Sequence, residues 1–153
     1  MIGRFLPGFL SFSSLLFAGN AVLQPRLPDS GAQECAAKAE GFVNGRLAFW
    51  QQRLKLQDWT VSIVMSQASD LRPKTLGNVH WDTSKKTAVI RVLRASEYQL
   101  ACRAMLDDME LTVVHELVHL ELSSLPRSTA SRSEEEHAVI RITDALLALD
   151  RNR

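Results

Sequence analysis

Apolar residues return every three or four positions in three stretches of the chain, which is the spacing of a helix with a buried face. The first stretch covers residues 34–56. The second is apolar on most sides and is expected to begin at Asp107, an N-cap residue with Glu110 three positions later. The third opens at Ser133. Its predicted buried stripe consists of four residues, Val139, Ile142, Leu146 and Leu149.

Between the first and second helices, the period changes to that of a strand. Residues 59–66 alternate between apolar and polar side chains, which predicts a half-buried strand. Two further strands are expected at residues 76–81 and 87–94, joined as a hairpin through residues 82–86. The resulting order, α-β-β-β-α-α, predicts an α+β domain with a small, mostly antiparallel three-stranded sheet beside the second helix.

The second helix contains the pentapeptide His-Glu-Leu-Val-His at residues 115–119. His115 and His119 are four positions apart, so their side chains leave one helix face a turn apart and can bind one metal ion. Glu116 lies beside the first histidine, where its carboxylate can activate a metal-bound water. Because unsatisfied polar groups are costly in a buried helix, the pattern predicts a catalytic zinc site with one ion per chain.

The third ligand of such a site is expected on the last helix, because catalytic zinc usually has three protein ligands. Glu135 falls one turn before Val139 on the predicted buried stripe, and it is the first choice. Glu136 lies about 100° away on the flank of the helix and is the second choice, followed by His137. Alternatively, these acidic residues are solvated and simply favour the positive end of the helix.

A histidine pair followed by a glutamate on the next helix resembles the gluzincin metallopeptidases. The resemblance points in particular to small zincins of bacteria and phages near the SprT-like and ImmA/IrrE-like groups. The pattern Glu135-x-x-Ala138 matches one found around the third ligand in several gluzincin families. Position 139 is Val where many gluzincins carry a supporting Asp, and no G-x-x-H follows His119. The resemblance covers roughly residues 50–149.

The resemblance implies a zincin-like fold that hydrolyses peptide bonds of a peptide or protein substrate. Zinc would be held by His115, His119 and Glu135, and Glu116 would be the catalytic base. An extended substrate would pair with an edge strand of the sheet, for which residues 77–81 are the candidate. Three residues remain open as groups that stabilise the oxyanion: His80, Tyr98 and His137.

Two alternative functions remain open. One is a regulatory protease that cuts a single partner protein, as the ImmA-like proteins do. The other is a non-catalytic zinc-binding interaction domain, in which a fourth ligand, Glu136 or His137, would close the metal.

Charge excludes one class of partner. The 153 residues include 18 Lys or Arg and 17 Asp or Glu, for a formal net charge of +1. No basic run is present, so no nucleic-acid partner is expected.

The first 32 residues differ from the rest of the chain. Arg4 precedes an uncharged apolar stretch, small residues follow at positions 18–21, and residues 26–32 have the composition of a linker. These residues are expected to be a signal peptide or a disordered leader with a linker, ahead of a catalytic domain at residues 33–153. The apolar stretch is too short and too interrupted for stable insertion into a membrane.

The location of the protein depends on this leader. A signal peptide would make the protein secreted or periplasmic, and without one it would be cytoplasmic. The two cysteines, Cys35 and Cys102, could pair in an exported protein and would be free thiols in the cytosol. Neither belongs to a C-x-x-C motif, so they are not expected to bind zinc.

Overall fold

A computed structural model of the protein describes residues 30–126, 128 and 131–152, so the predicted signal peptide lies outside the described residues. The fold is α+β, with three helices and one three-stranded sheet. Its elements are α1 (Ser30–Arg53), β1 (Thr60–Ser66), β2 (Gly77–Asp82), β3 (Thr87–Leu93), α2 (Cys102–Glu121) and α3 (Ser131–Arg151). None of the helices in this part of the chain has the length and apolar character needed to cross a membrane.

The sheet is mixed, with the strand order β1-β3-β2. β2 and β3 are antiparallel, whereas β1 and β3 are parallel, which corrects the expectation of a mostly antiparallel sheet. The connections explain the difference. Residues 83–86 form a tight turn in which the Asp82 carboxylate accepts backbone hydrogen bonds, and this turn keeps β2 beside β3. The connection formed by residues 67–76 is long enough to leave room for β3 beside β1. Strand β2 therefore lies on the other side of β3, at the edge of the sheet.

Helix α2 is the centre of the fold and packs against α1, α3, β2 and β3. Ten of its twenty residues are buried, which confirms the prediction of a helix that is apolar on most sides. Met109, Val113 and Leu117 are fully buried and lie in one cluster with Ile90 and Val92 of β3. The helix that carries the pentapeptide is therefore fixed on several sides.

Helices α1 and α2 both begin earlier than expected. Helix α1 begins at Ser30, so residues 30–32 belong to the helix rather than to a linker. Helix α2 begins at Cys102, with Ala101 as its N-cap, so the predicted N-cap at Asp107 is wrong. Asp107 instead pairs with Arg103 one turn earlier, at 3.1 Å. A disulfide joins Cys35, in the second turn of α1, to Cys102, the first residue of α2, with their Cα atoms 5.8 Å apart.

A polar network connects the three helices at the end away from the pentapeptide. Glu110 of α2 is buried and accepts hydrogen bonds from Trp50 Nε1 at 2.7 Å and from Arg46 Nε at 2.6 Å. Arg46 also pairs with Asp150 of α3 at 2.8 Å, and Arg53 pairs with Asp150 at 3.0 Å. The network holds the end of α3 against α1 and so orients its first turns over α2.

The buried stripe of α3 differs from the predicted one. It runs through Val139, Thr143 and Leu147, whereas Ile142 and Leu149 are 41% and 66% exposed. The prediction followed hydrophobicity alone and could not anticipate that Thr143, a polar residue, would be buried in the core. Glu135 falls one turn before Val139 on the observed stripe and has a largely buried side chain, so its predicted inward direction is confirmed.

Candidate metal centre

Three side chains from α2 and α3 converge on one point. His115 and His119 leave the same face of α2, with ring centroids 4.9 Å apart and side chains only 17% exposed. The carboxylate of Glu136 spans both rings: Oε1 is 3.1 Å from His115 Nε2, and Oε2 is 3.2 Å from His119 Nε2. Ligand atoms of these three residues lie within 4.8 Å of one another, and no other such group occurs within the described residues.

Glu135 lies on the opposite side of the His119 ring. Its Oε1 is 3.2 Å from Nδ1 of His119, whereas the Nε2 atom faces Glu136. The structure therefore brings Glu136, the second choice from the sequence, to both Nε2 atoms, and it places Glu135 behind one of the rings. A carboxylate at Nδ1 favours a proton on that nitrogen and leaves the Nε2 lone pair for a metal.

The chemistry of this group fits a divalent cation. Burial lowers the pKa of His115, and the opposing effect of the Glu136 charge is smaller. In the tautomer protonated at Nδ1, which Glu135 favours for His119, a neutral imidazole turns its Nε2 lone pair toward a carboxylate oxygen of Glu136, and a cation between these two acceptors removes the repulsion. Two imidazole nitrogens and one carboxylate form a ligand set typical of catalytic zinc.

Glu116 is buried beside this group. Burial raises the pKa of its carboxyl to about 7; the negative charge of Glu136 adds to the increase, and Arg72 opposes it. The carboxyl faces the start of β2, where a Cβ on Gly77 would lie 3.7 Å from Glu116 Oε1. The same Cβ would lie 2.6 Å from the carbonyl oxygen of Arg91 and would overlap the methyl group of Thr112. Glycine at position 77 therefore lets the edge strand approach α2 next to Glu116.

A cleft of about 690 Å³ opens in front of these residues. Residues 77–81 of β2 form one wall, α2 forms the floor, and the first turns of α3 form the other wall. The expectation that residues 77–81 are a sheet edge is confirmed, and this edge borders the cleft. Pairing of a substrate with that edge stays a prediction.

Of the three oxyanion candidates, only His80 lines the cleft. The Tyr98 hydroxyl donates a hydrogen bond to Asp108 at 2.9 Å, outside the cleft. His137 is exposed and is not part of the cleft wall.

Sequence reasoning overlooked three cations that line the same cleft: Arg72, Lys74 and Arg132. Arg132 stands three and four positions before the two glutamates, and this helical spacing was the one available signal.

The chain matches no protein-family model, no curated protein and no solved structure. The resemblance to gluzincins therefore rests on the residues of the pentapeptide and on positions 135–138.

Proposed function

We propose that the protein is a zinc-dependent peptidase with zinc bound by His115, His119 and Glu136. The observation that carries this proposal is the convergence of two Nε2 atoms and one carboxylate within 4.8 Å, beside Glu116, in an open cleft. Glu135, the first choice from the sequence, is assigned instead to orienting His119 through Nδ1.

A zinc ion held there would supply Lewis acidity toward water and toward a peptide carbonyl. Glu116 is the general base in this proposal. Its carboxylate accepts the proton of the attacking water and returns it to the leaving amine. Burial, the main cause of the raised pKa of this carboxyl, favours its protonated form and so suits the return of the proton to the leaving amine.

The number of ligands favours catalysis over a structural zinc site. Structural zinc usually has four protein ligands, whereas the described residues bring three together. His137, one candidate for a fourth ligand, lies outside the cleft wall, and Glu136 is already counted among the three. A zinc ion held by these three residues would border a cleft that is large enough for several residues of an extended peptide.

The test is metal analysis combined with Glu116→Gln. The purified protein should contain one zinc per chain and cleave unstructured peptides. Glu116→Gln should keep the zinc and lose about 10²- to 10⁴-fold in turnover, since the amide cannot accept the proton. Glu121→Gln, at an exposed position of the same helix, is the matched control and should keep wild-type activity. A chain that takes up no zinc, or a fully active Glu116→Gln variant, contradicts the proposal.

Export of the protein is proposed as well. The Cys35–Cys102 disulfide supports it because disulfides persist in oxidising compartments, and the leader-like composition of the first residues agrees. Protein taken from its native cells under acid trapping should show no thiols that react with an alkylating reagent. Two free thiols together with an uncleaved N-terminus would contradict export.

A further inference from the structure

Among the described residues, three cationic side chains line the candidate cleft and form no ion pair with a carboxylate. Arg72 and Lys74 lie in the connection that leads into β2, and Arg132 lies in the first turn of α3. All three are exposed, and no carboxylate of the described residues lies within ion-pair distance of any of them. By contrast, Arg46 and Arg53 at the far end of the fold are both paired with Asp150.

The carboxylates of the cleft do not neutralise these cations. Glu135 and Glu136 are held against the imidazoles of α2, and Glu116 is buried at the floor. Among the described residues, three carboxylates and three cations line the cleft, so with Glu116 ionised a bound divalent metal leaves these groups with an excess of two positive charges. A cleft of one sign concentrates ligands of the opposite charge.

The cations flank the reacting groups on both walls. Arg132 precedes Glu136 by four positions, so its side chain leaves α3 about one turn from the metal group. On the other wall, Arg72 and Lys74 precede Gly77, the residue that faces Glu116. Arg72 lines the same cleft as Glu116.

Resting on the proposed peptidase function, we infer that the cleft selects acidic peptides, whose carboxylates bind Arg72 and Lys74 on one wall and Arg132 on the other. These carboxylates belong either to Asp and Glu side chains beside the scissile bond or to the chain terminus. Guanidinium groups suit this role because they bind carboxylates in a bidentate geometry.

The first experiment measures the cleavage of matched peptides by zinc-loaded full-length protein. The peptides differ only in the residues next to the scissile bond, which are Glu, Gln or Lys, and each is made with a free and an amidated C-terminus. Each exposed charge pair contributes up to about fivefold, so kcat/KM for Glu should exceed that for Gln by about tenfold. The ratio should fall as salt is added. A preference that survives amidation assigns the carboxylates to side chains, and one that disappears assigns them to the chain terminus.

The second experiment changes the cations. In the double variant Arg72→Gln/Arg132→Gln, the ratio of kcat/KM for Glu over Gln should fall to about one to two. Arg141→Gln is the matched control, because Arg141 is exposed on α3 outside the cleft and should leave the ratio unchanged. An undiminished ratio in the double variant would overturn the inference.

A binding measurement separates failure of the inference from failure of the proposed function. Fluorescently labelled Glu and Gln peptides are titrated against zinc-treated Glu116→Gln protein, with anisotropy as the readout. The acidic preference is supported if the Glu peptide binds more tightly than the Gln peptide and if this difference is lost when Arg72→Gln and Arg132→Gln are added to the Glu116→Gln protein. This holds even if the wild-type protein cleaves nothing. Cleavage by the wild-type protein with equal binding of both peptides overturns the acidic preference and leaves the peptidase proposal standing.

Discussion

Replacing Gly77 by alanine should displace the edge strand from the helix that carries the candidate site. The added Cβ would lie 2.6 Å from the carbonyl oxygen of Arg91, whereas ordinary contacts begin at 3.4 Å. It would also overlap the methyl group of Thr112. The carbonyl belongs to the neighbouring strand and cannot rotate away as a side chain can. The start of β2 therefore has to move outward by about 0.8 Å, the difference between these two distances.

The expected cost follows from this overlap. Added carbon in a closely packed place costs about 1–3 kcal/mol of unfolding free energy. Gly41 provides the matched control, since a Cβ there meets nothing within 4 Å and the residue lies within α1. Gly41→Ala should raise the unfolding free energy by about 0.5–1 kcal/mol, because alanine is the better helix former. Replacing glycine by alanine should thus lower the unfolding free energy at position 77 and raise it at position 41.

Urea unfolding measures the unfolding free energy of both variants, and peptide hydrolysis measures the effect of the substitution on the candidate site. Displacement of β2 beside Glu116 should lower kcat/KM about 10- to 100-fold, since a misplacement near 1 Å is costly in catalysis. Zinc content should stay at the wild-type level, because Gly77 is not part of the metal group. A Gly77→Ala protein that unfolds at the wild-type urea concentration and keeps wild-type kcat/KM would refute the reasoning.

Three further predictions concern other parts of the fold. Glu136→Ala should abolish zinc binding, whereas Glu135→Ala should weaken it about 10- to 100-fold; equal losses in a chelator competition would contradict the assigned roles. Burial, with a neighbouring carboxylate, raises the pKa of Tyr98 above its usual 10.0. The stability that the neutral Tyr98 hydroxyl contributes should therefore be complete below pH 10 and be lost at higher pH. Ultraviolet absorbance of this single tyrosine should show no phenolate near pH 10 until the chain unfolds. Glu110→Ala leaves the Trp50 indole without its acceptor and should cost about 3 kcal/mol in thermal or urea unfolding.

Local sequence patterns predicted the elements of the fold well. The three helices and three strands lie close to their expected positions, because periods of two and of three to four residues report which side chains are buried. The same spacing predicted that His115 and His119 would share one helix face, and the structure confirms this. These features depend on residues that are near one another in the sequence.

Features that depend on distant contacts were not predictable in this way. The parallel pairing of β1 with β3 follows from the path of a loop, and the strand patterns carry no information about it. Glu135 and Glu136 are adjacent on α3 and contact different nitrogens of the His119 ring, and the spacing of apolar residues cannot show which of them reaches both Nε2 atoms. The Cys35–Cys102 bond needs two helix ends to lie close together, and only the tertiary structure shows that they do.

Helix α3 is held by far fewer buried residues than α2. Only Val139, Thr143 and Leu147 of its 21 residues are buried, and the disulfide fastens α1 to α2 but not to α3. Its local opening free energy should therefore be lower than that of the other helices. Metal bound between α2 and α3 would oppose this opening, so chelation should accelerate amide hydrogen exchange in α3 and leave the protection of α1 and α2 nearly unchanged. The occupancy of the site and the order of one helix would then rise and fall together.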